Sequence, residues 1–313
     1  QRGRTGSSKA VDITNWSKAA GGQSYAAAAA KAGLGVTRWA QVGEQLTEVE
    51  RALARTEMTP EQRRAAWVEK VEGALALARH PERNTQLPSN GRMAARYVRL
   101  LFEDALGFAE AARAEGVDDW RVDAVEALAR YDIAGMGPGQ RDMEATRAAY
   151  ELAGRAVGAM PAGATGPHVS SVRELFAYGR MQDISDAVRN RRKWPGEWLA
   201  DINAAYDVLA DHPDGNAAQV GTHYDFVRAL GGEAKSGSIL SRGMKRFPAD
   251  PQLHERLREA VIRTRGPEGL RETYDRLLGE QGAHIHQPWY AGEAEVRIAE
   301  GARRRGRQED AIA

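Results

Sequence analysis

The stretch GGEAKSGSILSRGMKRFPADP, residues 231–251, contains a turn, one helical segment and a helix-ending proline in close succession. Gly231 permits a tight turn at its start, because glycine adopts backbone conformations that are closed to other residues. Leu240 is a large apolar residue in the segment that follows. Pro248 ends that segment, since proline cannot continue a helix. A short helix between Gly/Pro turns is typical of chains built from packed helix pairs.

The same alternation of helical segments and short turns extends towards the N-terminus. In VTRWAQVGEQLTEVERALAR, residues 36–55, apolar residues recur at three- and four-residue steps and share one helix face. They are Trp39, Val42, Leu46, Val49 and Leu53. No segment alternates between apolar and polar residues with period two, which argues against a sheet. The sequence therefore predicts an all-α fold.

Helices are predicted at residues 65–78, 93–114, 120–131, 143–160, 169–178, 183–190 and 198–211. Two of them have recognisable starts. Thr59-Pro60-Glu61-Gln62 combines an N-cap hydroxyl, a proline at the first helical position and a Gln three residues on, which is a capping box. Asp118 follows a turn at Gly116 and is the predicted cap of the helix that begins at Trp120.

From Gln219 onward the spacing resembles the tetratricopeptide repeat (TPR), a helix–turn–helix unit of about 34 residues with a closing proline. Gly231, Leu240 and Pro248 stand at repeat positions of the first unit. The register slips by one in the second unit, where the turn glycine is Gly266. The third unit matches best, and its residues at TPR-type positions are Ile298, Ala299, Ala302, Gly306 and Ala311.

The resemblance covers residues 217–313 and implies a right-handed superhelical solenoid of antiparallel helix pairs. Composition and the helix–turn pattern, taken together with this resemblance, predict an extended basic arm at residues 1–12, helical hairpins at 13–166 that are degenerate repeats or a different cap, and TPR-like repeats at 167–313. The last repeat is incomplete at Ala313, so its second helix lacks a packing partner. We therefore expect that the natural chain continues or that another chain covers this end.

In a TPR solenoid, the first helix of each pair lines a concave groove that binds peptides or a helix of another protein. The resemblance implies that six residues line this groove here: Asp225, Arg228, Glu255, Glu259, Glu300 and Arg303. Their charges are mixed in sign. They lack the cluster of Lys and Arg with which one type of TPR groove holds a C-terminal carboxylate.

The composition excludes several classes of protein. Lys+Arg 44 against Asp+Glu 43 gives a formal net charge of +1, so no overall field attracts nucleic acid or an anionic membrane. The absence of cysteine excludes disulfide frameworks, thiolate metal sites and cysteine nucleophiles. The longest apolar stretch, Tyr25 to Ala30, is too short to span a membrane. The chain begins at Gln1 without methionine, which favours an exported protein over a cytoplasmic one.

No motif supports catalysis, a cofactor or a metal site. The closest histidine pair, His284-Ile285-His286, has no third ligand at a telling spacing. Residues 135–141 are Gly-rich but lack both the strand and the Gly-Lys-Ser/Thr ending of a phosphate loop, so they are interpreted as a turn between helices. The basic clusters at 191–193 and 303–305 lie near predicted helix C-termini, where cations offset the helix dipole.

The sequence thus predicts a non-catalytic scaffold, part of a bacterial assembly, that binds another protein or copies of itself. No small-molecule substrate is evident. Two alternatives remain. The chain is a self-associating structural subunit of a fibre, surface layer or multi-subunit assembly, or it is the regulatory helical region of a larger enzyme.

Overall fold

A computed structural model describes residues 53, 58–80, 91–137, 139–166, 168–281 and 287–304. Within these ranges the chain is all-α, with ten helices and no strand. The helices are α1 (Pro60–Arg79), α2 (Gly91–Ala114), α3 (Trp120–Ala134), α4 (Met143–Ala159), α5 (Val169–Arg189), α6 (Gly196–Asp211), α7 (Ala217–Ala229), α8 (Glu233–Arg246), α9 (Pro251–Gln281) and α10 (Gln287–Arg304). In this part of the chain, no helix is both long enough and apolar enough to cross a bilayer.

The chain divides into two compact units, residues 1–179 and 180–313, and the division falls within α5. The prediction of two helices at 169–178 and 183–190 was wrong, because α5 is continuous. The only weak helix former between them is Gly179, and one glycine costs a helix only about 1 kcal/mol. Met181 and Ile184 are buried, so packing offsets that cost.

In the N-terminal unit, α1, α2 and α3 all contact one another, and α3 packs on α4. Three successive helices each contribute a buried leucine to a common core, namely Leu75, Leu101 and Leu128. Fully buried alanines such as Ala105 and Ala129 stand beside them. Small side chains let helix axes approach closely, so this unit is an alanine-rich helix bundle.

The starts of α1 and α3 test the predicted caps. The capping box at Thr59 is confirmed: the Gln62 amide donates to Thr59 Oγ1 at 3.2 Å, and the Thr59 amide donates to Gln62 Oε1 at 2.9 Å. The cap of α3 was placed one residue early, because Asp119 accepts from the Arg121 amide at 2.9 Å. The Asp119 side chain is fully buried between Arg64 and Arg121, whereas Asp118 is exposed. Tertiary ion pairing therefore selects the cap.

In the C-terminal unit, α7 packs on α8 through the turn predicted at Gly231, which has a φ of 81°. Gly243 of α8 faces Val220 of α7 so closely that any Cβ there would overlap the valine side chain. Both residues are buried. The two helices can cross at this distance only because position 243 has no side chain.

Helix α9 is two helical segments in one. Gly266 has φ 72° and ψ −170°, outside the helical region, and Pro267 follows it. A positive φ is the left-handed region that glycine adopts readily, and proline is well suited to the first turn of a helix. The break predicted at Gly266 is therefore present, and it separates residues 251–265 from 267–281.

Candidate functional site

The six residues predicted to line a groove lie on three helices of the C-terminal unit. Asp225 and Arg228 are in α7, Glu255 and Glu259 in the first half of α9, and Glu300 and Arg303 in α10. Asp225, Arg228 and Glu255 are half-buried, whereas Glu259, Glu300 and Arg303 are exposed. Because α9 contacts both α7 and α10, these residues occupy neighbouring helices.

Ion pairs join α7 to the first half of α9. The guanidinium of Arg256 donates to Asp225 Oδ2 at 2.7 and 3.1 Å. One turn further along, Arg228 lies 3.9 Å from Glu259. The structure thus links three of the predicted residues into two ion pairs across one helix contact, and it adds Arg256, which the TPR spacing did not identify.

A second set of ion pairs joins the first half of α9 to α10. Arg297 donates to both carboxylate oxygens of Glu255, each at 2.7 Å, and Arg258 contacts Glu255 at 2.7 Å and Glu293 at 2.9 Å. Burial opposes ionisation of Glu255, but the hydrogen bonds from the two arginines hold its pKa below its usual value. Glu300, towards the end of α10, is exposed.

A buried aromatic cluster lies behind these charges. His254 is completely buried; its Nε2 donates to the Pro248 carbonyl at 2.8 Å, and its Nδ1 accepts from the Tyr274 hydroxyl at 2.9 Å. The ring of Tyr290 stacks on the imidazole with centroids 4.1 Å apart. Burial lowers the pKa of His254 and raises that of Tyr274 to about 12, so both are neutral at pH 7. This cluster therefore joins three segments, namely the first half of α9, its second half, and α10.

A cavity of about 480 Å³ lies among α7, α8 and the two halves of α9. Apolar side chains form its floor: Tyr224, Leu240, Met244, Leu257, Val261 and Leu277. Charged side chains form its rim: Lys245, Arg263, Arg265 and Arg276, with Glu233 as the one carboxylate in the lining. None of the six predicted groove residues lines it. Sequence reasoning missed the cavity because its residues come from four helical segments and no single segment shows a motif.

The rim charges are partly compensated by carboxylates. Arg263 lies 3.4 Å from Glu233, and Arg265 lies 2.5 Å from Glu272. All four of these side chains are between 45% and 71% exposed, so water screens both pairs. Lys245 is exposed as well. The cavity therefore has an apolar floor and a rim of charged side chains, of which Arg263 and Arg265 are paired with carboxylates.

Two other sequence features, a basic cluster and a Gly-rich segment, lie at the end of a helix and in a turn between helices. The basic cluster at 191–193 directly follows the end of α5, as predicted, and Arg191 has a φ of 52°. The Gly-rich segment at 135–141 is the turn between α3 and α4, where the guanidinium of Arg141 lies 3.9 Å from the ring centroid of Tyr131. Both are elements of helix ends and turns.

Several predicted features lie outside the described residues. They are the arm at 1–12, the helix from Thr37 apart from Leu53, the His284/His286 pair, and Gly306 and Ala311 of the third repeat unit. Within the described ranges, no group of three His, Asp or Glu side chains is arranged to hold a metal ion.

Comparison of the chain with protein-family models, with curated proteins and with solved structures finds no match.

Proposed function

We propose that the C-terminal unit is a TPR-like solenoid segment of antiparallel helix pairs whose function is to bind another protein without catalysing a reaction. The helix spacing supports this. Helices α7, α9 and α10 begin at Ala217, Pro251 and Gln287, at steps of 34 and 36 residues, close to the TPR period of about 34. The second helices begin at 233 and 267, again 34 residues apart.

The observation that carries the proposal is a line of charged residues along the first helices of these pairs. Asp225–Arg256 and Arg228–Glu259 join α7 to α9, and Glu255–Arg297 joins α9 to α10. Half-exposed pairs such as these contribute only about 0–1 kcal/mol each to stability. These charged groups remain close to solvent, so they can also interact with a partner whose charges are complementary. Such interactions determine the orientation of the bound partner and the rate at which it associates.

A charge-swap variant tests the proposal. In Arg228→Glu/Glu259→Arg the intramolecular pair is retained with its polarity reversed, so we expect a melting temperature within about 2 °C of the wild type. Partner binding should fall at least tenfold, because each partner group then meets a like charge. The measurement is quantitative affinity capture from an extract of the producing cells, comparing wild-type and swapped baits.

A matched control is Arg271→Glu/Glu295→Arg, which reverses a half-exposed pair that belongs neither to the proposed groove nor to the cavity lining. Proteins retained by the wild type and by this control, but lost with the groove swap, support the proposal. If every captured protein is retained equally by the groove swap, the groove is not the binding surface.

A second candidate function is self-association through α10. Trp289 and Val296 are 61% and 58% exposed and stand two helical turns apart, on one face of that helix. Burying both side chains against a second copy would remove apolar surface from water, which favours association. We expect concentration-dependent association in sedimentation velocity, abolished in Trp289→Glu/Val296→Glu. A wild-type chain that is monomeric at every concentration and ionic strength would exclude this candidate.

A further inference from the structure

The loop between α5 and α6 presents a cluster of positive charge. Arg191, Arg192 and Lys193 are consecutive and exposed, and none of them has an ion pair or a side-chain hydrogen bond within the described part of the chain. Residues 190–198 contain one carboxylate, that of Glu197, which leaves this segment with a net charge of +2. The three cations, which we call the basic loop, are therefore accessible to a ligand.

The carboxylates of the adjoining helix ends are engaged with other arginines. Asp186 of α5 accepts a hydrogen bond from Arg189 at 3.2 Å. Asp201 of α6 accepts from Arg180 at 3.0 Å, and Asp183 lies 3.7 Å from the same guanidinium. The basic loop therefore keeps its positive charge in the folded unit.

The side chains of the basic loop are not used to cap α5. The Arg191 amide donates to the Val188 carbonyl at 3.0 Å and the Arg192 amide to the Ala187 carbonyl at 2.7 Å, which is a Schellman motif made by the backbone alone. By contrast, Arg246 caps the end of α6 with its guanidinium, which donates to carbonyls of the last turn. Offsetting the dipole of α5 requires only the charge of the basic loop and leaves its hydrogen-bond donors free.

Arg191 adopts a backbone conformation that favours glycine. Its φ of 52° is the only positive φ of a non-glycine residue in the ranges that the structure describes. Glycine is the usual residue at this position of a Schellman motif. A strained backbone that carries an exposed cation at a position suited to glycine indicates a functional role for the side chain.

Two tryptophans adjoin the basic loop. Trp194 follows Lys193 directly and Trp198 lies in the first turn of α6, and both are half-buried, so each retains accessible surface. Gly196 lies between them, and a Cβ built there would have no neighbour within 4 Å, so the space beside it is open. Proteins bind single-stranded nucleic acid with surfaces of this kind, where cations contact phosphates and bases stack on aromatic rings.

We propose that the basic loop and the adjoining tryptophans bind single-stranded nucleic acid, with phosphates at the three cations and a base stacked on Trp194. An anionic membrane is less well matched, because lipid-binding clusters contain about four to eight Lys and Arg side chains. With a net charge of +1 the chain has no overall attraction for nucleic acid, so binding depends on this loop. The site is separate from the groove of α7, α9 and α10, so it is independent of the function proposed above.

The test uses the full chain and a short fluorescein-labelled oligothymidylate, followed by fluorescence anisotropy. The logarithm of the affinity should fall with the logarithm of the salt concentration with a slope of about −2, because each of three phosphate contacts contributes about −0.7. A duplex of the same length should bind at least about fivefold more weakly, because its bases are paired and cannot stack on Trp194.

Three variants of the chain locate the site. Arg192→Gln/Lys193→Gln should weaken oligothymidylate binding at least tenfold. Arg191→Gly removes the third cation and relieves the strained backbone, so binding should weaken at least threefold while the melting temperature does not fall. Trp194→Leu keeps an apolar side chain in the loop but removes the stacking surface, and binding should weaken at least fivefold.

The matched control is Arg147→Gln/Lys245→Gln. It removes two other exposed cations that have no ion pair among the described residues, so it lowers the net charge of the chain by the same amount. This control and the groove swap Arg228→Glu/Glu259→Arg should both bind oligothymidylate as the wild type does, so failure of the groove and failure of the basic loop are separable.

The proposal is overturned if the wild type does not bind oligothymidylate, or if the control loses as much affinity as Arg192→Gln/Lys193→Gln. Equal affinity for the duplex, or unchanged binding by Trp194→Leu, would exclude base stacking and with it the preference for single strands. Binding of a glutamate peptide or of phosphatidylserine vesicles without binding of oligothymidylate would also overturn it, and would identify an acidic protein or a membrane as the partner.

Discussion

The double variant Glu255→Gln/Glu293→Gln is expected to destabilise the C-terminal unit by about 3 kcal/mol. Arg258 is only 2% exposed, and its charge is balanced by these two carboxylates at 2.7 and 2.9 Å. Burial disfavours the cation, but the contacts with Glu255 and Tyr274 hold the pKa of Arg258 above its usual value, so it remains charged. A buried charge without a counter-ion costs several kcal/mol.

Removing the arginine in place of its two carboxylates should change the free energy of unfolding much less. In Arg258→Met the buried charge is removed, while Glu255 and Glu293, 38% and 37% exposed, remain hydrated. We expect a change of within about 1 kcal/mol, because methionine fills similar space without a desolvation cost. Adding Arg258→Met to the double variant should then restore most of the lost stability, which is a strong coupling between contacting residues.

Hydrogen exchange of peptides from α9 and α10 measures this locally, so the result does not depend on both units unfolding together. The double variant should exchange faster in both helices, whereas α1 to α4 should be unaffected. Equal losses from Arg258→Met and from the double variant would show that the network contributes through packing and not through charge balance.

The helices could be predicted from the sequence because their signals are local. The capping box at Thr59 involves residues three positions apart, and the turns at Gly231 and Gly266 depend on the φ values open to glycine. The break predicted within 178–183 failed because burial of Met181 and Ile184 outweighs one glycine, and burial depends on the folded chain.

The candidate sites depend on pairing between helices, and this is what the sequence does not contain. TPR spacing placed Asp225 and Glu259 on successive first helices, but it did not identify Arg256 as the partner of Asp225, 31 residues away. The cavity was missed for the same reason. Arg276 and Lys245 belong to different segments, and only packing brings them to one rim.

The variant Asp104→Asn is expected to stabilise the N-terminal unit at neutral pH by roughly 3 kcal/mol. Asp104 of α2 is 8% exposed, and its Oδ2 has no hydrogen-bond partner in the described part of the chain. Burial, with a smaller contribution from Glu103, raises its pKa to about 7. Each unit of such a shift corresponds to about 1.4 kcal/mol between the two protonation states.

The sign follows from the direction of the shift. Because the pKa of Asp104 is higher in the folded chain than in the unfolded one, its protonated form favours folding below about pH 4, and this contribution is lost as pH rises to about 7. Asparagine is neutral throughout. The advantage of Asp104→Asn should therefore be small at pH 4 and should reach its full size near pH 7.

The measurement is urea unfolding of the wild type and of Asp104→Asn at a series of pH values, with hydrogen exchange reporting the unfolding of α2. It gives the stability difference between the two proteins as a function of pH. His168 in the same unit acts in the opposite direction. Burial lowers its pKa to about 4, so its contribution to stability is lost as pH falls from about 6.5 towards 4. Wild type and variant share this histidine, so the difference between them isolates Asp104.

Glu103→Gln is the control and should change stability by less than about 0.5 kcal/mol, since Glu103 is exposed. A difference between Asp104→Asn and wild type that does not vary with pH would mean that Asp104 is ionised in the folded protein and compensated by its surroundings.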